Sequence, residues 1–98
     1  MSFQVRFEDE AIEHLGELAA REQSIILDKI EKQLPDQPNV PTRHRKELRP
    51  NPLAKWQLSV DDFRVIYDVD EARKEVLILA IGKKIGNRLF IGGKEYKL

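Results

Sequence analysis

Phe63-Arg64-Val65-Ile66-Tyr67-Asp68-Val69, followed after a short polar interval by Val76-Leu77-Ile78-Leu79-Ala80-Ile81, decides the fold. In the first segment Phe63, Val65, Tyr67 and Val69 alternate with Arg64, Ile66 and Asp68, the period of a strand with one fully buried face. The second segment is apolar at every position, which marks a central strand covered on both sides. The interval Asp70–Lys74 is a turn, so the two strands run antiparallel and the end of the later one lies beside the start of the earlier one. This geometry brings Lys83 and Lys84 close to Arg64.

Working outward, Trp56, Leu58 and Val60 alternate with Gln57, Ser59 and Asp61, and Asp61-Asp62 turns this strand into the next. Downstream, Gly82 is read as the end of the long strand. A basic segment follows (Lys83, Lys84, Gly86, Asn87, Arg88), then a short strand at Leu89-Phe90-Ile91 before Gly92-Gly93. Near the N-terminus Phe3, Val5 and Phe7 alternate with polar residues. From Asp9 the spacing becomes helical through Ala11, Ile12, Leu15, Leu18 and Ala19. A second helix runs from about Glu22 to Leu34 on the stripe Ile26, Ile30 and Leu34, and Pro35 ends it. The order β-α-α-β-β-β(-β) implies an α+β fold with a helical hairpin packed on one face of a largely antiparallel sheet, the other face being left open. All five prolines fall within residues 35–54, a loop and not a boundary, because neither side could bury a core alone. The expectation is one domain over residues 1–98.

Several classes of chemistry are excluded or unsupported. The chain has no cysteine, which removes disulfides, thiolate catalysis and cysteine-ligated zinc. His14 and His44 lack metal-ligand spacing, and no glycine-rich phosphate loop or serine triad is present; neither cofactor nor metal is expected. His14 is read as a helix-surface residue. No apolar run spans a bilayer and no signal-peptide pattern opens the chain, so a cytoplasmic location without membrane contact is the default.

The formal net charge of zero hides an asymmetry. Residues 1–40 hold nine acids against four bases, and residues 41–98 hold thirteen bases against eight acids. The basic part can meet phosphate locally even though the whole is neutral. Its richest stretch is Arg43-His44-Arg45-Lys46, followed by Arg49. Arg64, held on a rigid strand, suits a phosphate clamp because guanidinium donors match phosphate oxygens in pairs; the competing reading is an ion pair with Asp62 or Asp68. Phe90 and Tyr96 are candidate stacking surfaces for bases, and Trp56 is read as core.

The motifs Lys46-Glu47-Leu48-Arg49-Pro50-Asn51-Pro52, Trp56-Gln57-Leu58, Phe63-Arg64-Val65-Ile66-Tyr67-Asp68-Val69 and Ala80-Ile81-Gly82-Lys83-Lys84, in this order and spacing, resemble the RelE/ParE superfamily of bacterial toxins, closer to the RelE branch. The resemblance implies a toxin neutralised by a cognate antitoxin, and a RelE-like activity: metal-independent cleavage of messenger RNA on the ribosome, by attack of the ribose 2′-hydroxyl on the adjacent phosphate. On this pattern the catalytic candidates are Arg64, Lys84, Lys83 and His44. The RNA-binding candidates are Arg43, Arg45, Lys46, Arg49, Arg88 and Phe90. Phe90 stands where that branch often carries tyrosine, and Gln57 and Ser59 stand where it presents lysines. The alternatives implied are a ParE-like inhibitor of DNA gyrase that cleaves nothing, and a catalytically weakened relative that mainly binds an antitoxin.

Overall fold

The computed structural model describes residues 2–97. Among them are two helices and seven strands in the order β1 (Gln4–Phe7), α1 (Asp9–Gly16), α2 (Ala20–Gln33), β2 (Arg45–Glu47), β3 (Trp56–Val60), β4 (Phe63–Asp70), β5 (Glu75–Ile85), β6 (Arg88–Ile91) and β7 (Lys94–Tyr96). The path β2-β3-β4-β5-β6-β7 is antiparallel throughout, and β1 joins β5 in parallel. The helical hairpin packs on one face of this sheet, as the order of elements implies. No helix among the described residues is long and apolar enough to cross a membrane.

The long apolar strand organises the molecule. β4 lines one edge of β5 along most of its length. On the other edge β1 covers Glu75–Ile78 and β6 covers Lys83–Ile85. Between them the edge has no strand partner, and the Ile81 N–H there donates to Nδ1 of His14 on α1 at 3.3 Å. His14 is therefore half-buried and fills a gap in the ladder, where the helical pattern alone placed it on the surface. Gly82 does not end the strand, which continues to Ile85. The register shifts between Ile66 and Tyr67, where Leu79 is the extra residue of β5.

The main core lies between sheet and helices. Ala11, Ile26, Ile30 and Leu34 meet Trp56, Leu58, Val60, Phe63, Val65, Tyr67, Val76, Ile78 and Ile81. Trp56 and Tyr67 are cross-strand partners with ring centroids 6.2 Å apart. The Tyr67 hydroxyl donates to the Pro38 carbonyl at 2.7 Å, tying the proline-rich segment to β4. Burial pushes this phenol well above its ordinary range, with the Arg45 charge opposing in part. α2 begins at Ala20, two residues before the pattern suggested, because the Glu22 carboxylate accepts the Ala19 N–H at 3.2 Å.

The opposite face is not left open over its whole extent. Ile66 and Ala80 are buried there under Ala54, Leu89 and Ile91, with Leu48, Leu53, Leu79 and Tyr96 at the margin. The proline-rich loop supplies one side of this second core and the β6–β7 hairpin the other. Asn51 shapes the loop: its amide donates to the Arg49 and Ala54 carbonyls, and its oxygen accepts the Leu53 and Ala54 N–H groups. Gly82 lets the hairpin approach. A Cβ at that position would lie 2.6 Å from both the Phe90 carbonyl oxygen and the Ile91 side chain.

Gly82→Ala should therefore lower unfolding free energy by about 1–3 kcal/mol in urea titration, since the second core must shift to admit the methyl. Gly16→Ala is the contrast. Nothing lies within 4 Å of that Cβ, and alanine is favoured over glycine in a helix by about 0.5–1 kcal/mol. Equal effects from the two substitutions would contradict the close approach at Gly82.

Candidate functional site

Arg64 projects from β4 on the face away from the helices, since Phe63 and Val65 both enter the main core. Its cross-strand neighbours in the row are Ser59 of β3 and Gly82 of β5. The row extends one strand further, because the Ser59 N–H donates to the His44 carbonyl at 2.8 Å. His44, Ser59, Arg64 and Gly82 thus form one line across the sheet. The next line is Lys46, Gln57, Ile66 and Ala80.

The guanidinium of Arg64 is partly committed. Nη1 donates to the carbonyls of Asp61 and Phe63, both at 2.8 Å. Asp61 is in the left-handed region (φ 52) of the two-residue turn between β3 and β4, a conformation aspartate tolerates better than most residues. No carboxylate of a described residue lies within 4.0 Å of Arg64. The ion pair with Asp62 or Asp68 is therefore not formed, and Asp68 instead accepts the Lys55 N–H at 2.8 Å. Arg64 Nε is buried without a hydrogen-bond partner among the described residues. Buried donors are rarely left so.

The other candidates divide between the two faces. Lys84 shares Arg64's side of the sheet, and its N–H donates to the Asp62 carbonyl at 2.7 Å. Lys83, the next residue, points the other way: it pairs with Phe63, and its ammonium stands 5.8 Å from the Phe63 ring centroid. The antiparallel turn does bring both lysines to this end of β4, but alternation sends only one to Arg64's face. Phe90 also lies on the helix side. It lines a cleft of about 220 Å³ with His14, Glu17, Lys83 and Gly92. Arg88 is exposed and pairs with Glu95 at 3.7 Å, a surface ion pair of small energetic weight.

Arg45 corrects the reading of the basic loop. It is only 7% exposed. Its Nε donates to the Val40 carbonyl at 3.1 Å, and its Nη1 to the carbonyls of Gln33 at 2.6 Å and Asp36 at 3.1 Å. It closes the C-terminal end of α2, where carbonyls lack helical partners, and has no surface left for RNA. Arg43, Lys46 and Arg49 remain exposed. β2 is what separates them: Arg45 faces inward opposite Leu58, and Lys46 outward opposite Gln57.

The family described as ParE toxin of type II toxin–antitoxin system, parDE, matches residues 5–84. Two solved structures share the fold. A chain of the toxin–antitoxin complex RelBE2 from Mycobacterium tuberculosis superposes with a TM-score of 0.74 at 23% identity, covering 86% of this chain and 93% of that one. A chain of the archaeal RelE–RelB complex from Pyrococcus horikoshii OT3 gives a TM-score of 0.69 at 22% identity, covering 88% and 98%. No curated protein sequence matches at a significant level.

Arg45→Met should cost about 2–4 kcal/mol in urea unfolding, because it leaves buried carbonyls unsatisfied. Arg43→Gln and Lys46→Gln should each stay within about 0.5 kcal/mol. A loss as small for Arg45 as for its neighbours would return it to the solvent-facing cations.

Proposed function

The chain belongs to the ParE toxin family of type II toxin–antitoxin systems, within the RelE/ParE superfamily, and from that premise we propose that it arrests translation by cleaving ribosome-bound messenger RNA without a metal, and that a cognate antitoxin holds it in check. The observation that carries this reading is Arg64: a half-buried guanidinium on a rigid strand, held by two backbone carbonyls and free of any carboxylate among the described residues. A phosphate oxygen would meet the solvent-facing part of this half-buried guanidinium, the Nε itself being enclosed. Charge that develops on the phosphorane is then met by a cation already in place, which lowers the barrier because nothing has to reorganise.

In this reaction the 2′-oxygen bonds to phosphorus as the P–O5′ bond breaks. A 2′,3′-cyclic phosphate remains, and the departing 5′-oxygen takes up a proton. His44, in Arg64's row, is the imidazole suited to accept the 2′-hydroxyl proton. Lys84 adds positive charge on the same face, and exposed Arg43, Lys46 and Arg49 suit ribosomal or messenger backbone. A second reading is favoured by the ParE description of the matching family and by Lys83 and Phe90 lying on the helix side. With so short an acid–base set, the same face would bind DNA gyrase and break no bond.

Primer extension on abundant messages after induction separates the two. The proposal expects new 5′ ends within translated codons, lost in Arg64→Ala to background. Because Arg64 also holds the β3–β4 turn, the variant should lose about 1–2 kcal/mol of stability, so circular dichroism must show it folded at the assay temperature. Intact messages together with an induced DNA-damage response would replace RNA cleavage by gyrase inhibition.

A further inference from the structure

The β6–β7 hairpin lies outside the segment that matches the family, which ends at residue 84. It packs onto the face that carries Arg64. Leu89 and Ile91 enter the second core beside Ile66 and Ala80, and the hairpin leans over Gly82, the cross-strand partner of Arg64, more closely than any Cβ would allow. Register fixes what the hairpin adds there. Lys84 pairs with Leu89, Leu89 with Tyr96, and Ile91 with Lys94. Since Leu89 and Ile91 face this side, so do Tyr96 and Lys94. Tyr96 is half-buried at the margin of the second core, and the Lys94 ammonium stands 5.5 Å from its ring centroid.

We infer that this hairpin is a second contact for single-stranded RNA, in which a base stacks on Tyr96 and the flanking phosphates meet Lys84 and Lys94. The inference rests on the RNA reading of the Arg64 face. Three features combine to support it. The ring is half-buried and fixed by packing against the second core, so stacking costs little ordering. Lysines stand both in its cross-strand row and against its ring, matching the alternation of base and phosphate along a strand. Apart from Glu95, which Arg88 neutralises at 3.7 Å, the charged residues from the end of β5 through the hairpin are all positive among the described residues. Phe90, named with Tyr96 as a candidate stacking surface, is on the wrong side of the sheet for this contact.

The test is fluorescence anisotropy of the full chain with a labelled 2′-O-methyl oligouridylate, which can bind and cannot be cleaved. Tyr96→Leu, which keeps an apolar side chain against the second core, should weaken binding about tenfold, the scale of one lost stacked base. Tyr96→Phe should bind within about twofold of the parent. The double variant Lys84→Gln/Lys94→Gln should flatten the slope of log K against log salt by about 1.4, two single-strand phosphate contacts. Parent-like binding by Tyr96→Leu, with binding weakened by Arg64→Ala, overturns the hairpin contact and leaves the RNA reading standing. Absence of binding by the parent chain overturns the hairpin contact, while primer extension after induction decides the RNA reading independently. A thermal melt identifies any variant that has unfolded, and the phenylalanine and lysine variants then decide the question.

Discussion

β5 is eleven residues long and apolar on both faces over 76–81, and the rest of the molecule is arranged around covering that stretch. A strand of this kind cannot meet water on either side. The helical hairpin covers one face, and the proline-rich loop with the C-terminal hairpin covers part of the other. Its edges are equally demanding, because every N–H and carbonyl needs a partner once water is excluded. β4 serves one edge, β1 and β6 divide the second, and His14 takes the Ile81 N–H left between them. The extra residue at Leu79 keeps both faces apolar through the change of register.

The site follows from the same constraint. The β4–β5 register sets Arg64 opposite Gly82, and the lack of a side chain at Gly82 lets the second core close beside the guanidinium. The carbonyls of Asp61 in the turn and of Phe63 at the start of β4 hold Arg64, which fixes the charge. On the far side, Arg45 anchors the segment between α2 and β2. That anchoring sets His44 and Lys46 beside Ser59 and Gln57 on Arg64's face. One buried arginine thereby positions the loop whose exposed cations are the candidates for backbone contact.

Much of this was legible in the chain. Alternation at Phe63–Val69 and at Trp56–Val60 gave strands and faces, the apolar run gave the central strand, and the helical stripes gave the hairpin. What escaped had physical causes. A run that is apolar at every position shows no phase, so the bulge at Leu79 left no trace, and neither did the opposed directions of Lys83 and Lys84. In His44-Arg45-Lys46 every residue is polar, so the inward turn of Arg45 could not be read from periodicity. Its burial is explained by helix-end carbonyls brought near by the fold. The strand at Leu89–Ile91 was legible, but the run of β5 on to Ile85 and the return strand β7 were not, because Gly82 suggested a stop while its actual role is to admit a close neighbour. The family resemblance located Arg64 correctly on its strand, but it also favoured Phe90, which the fold carries to the other face.

The central claim is that the working surface is the Arg64 side of the sheet. Adjacent residues on opposite sides test it most directly: growth arrest on induction, compared for Lys84→Ala and Lys83→Ala at matched expression. The account predicts that Lys84→Ala relieves the arrest, while Lys83→Ala, altering only the helix side, arrests growth like the parent. Relief by Lys83→Ala with full arrest by Lys84→Ala would place the working surface on the helix side and contradict the account.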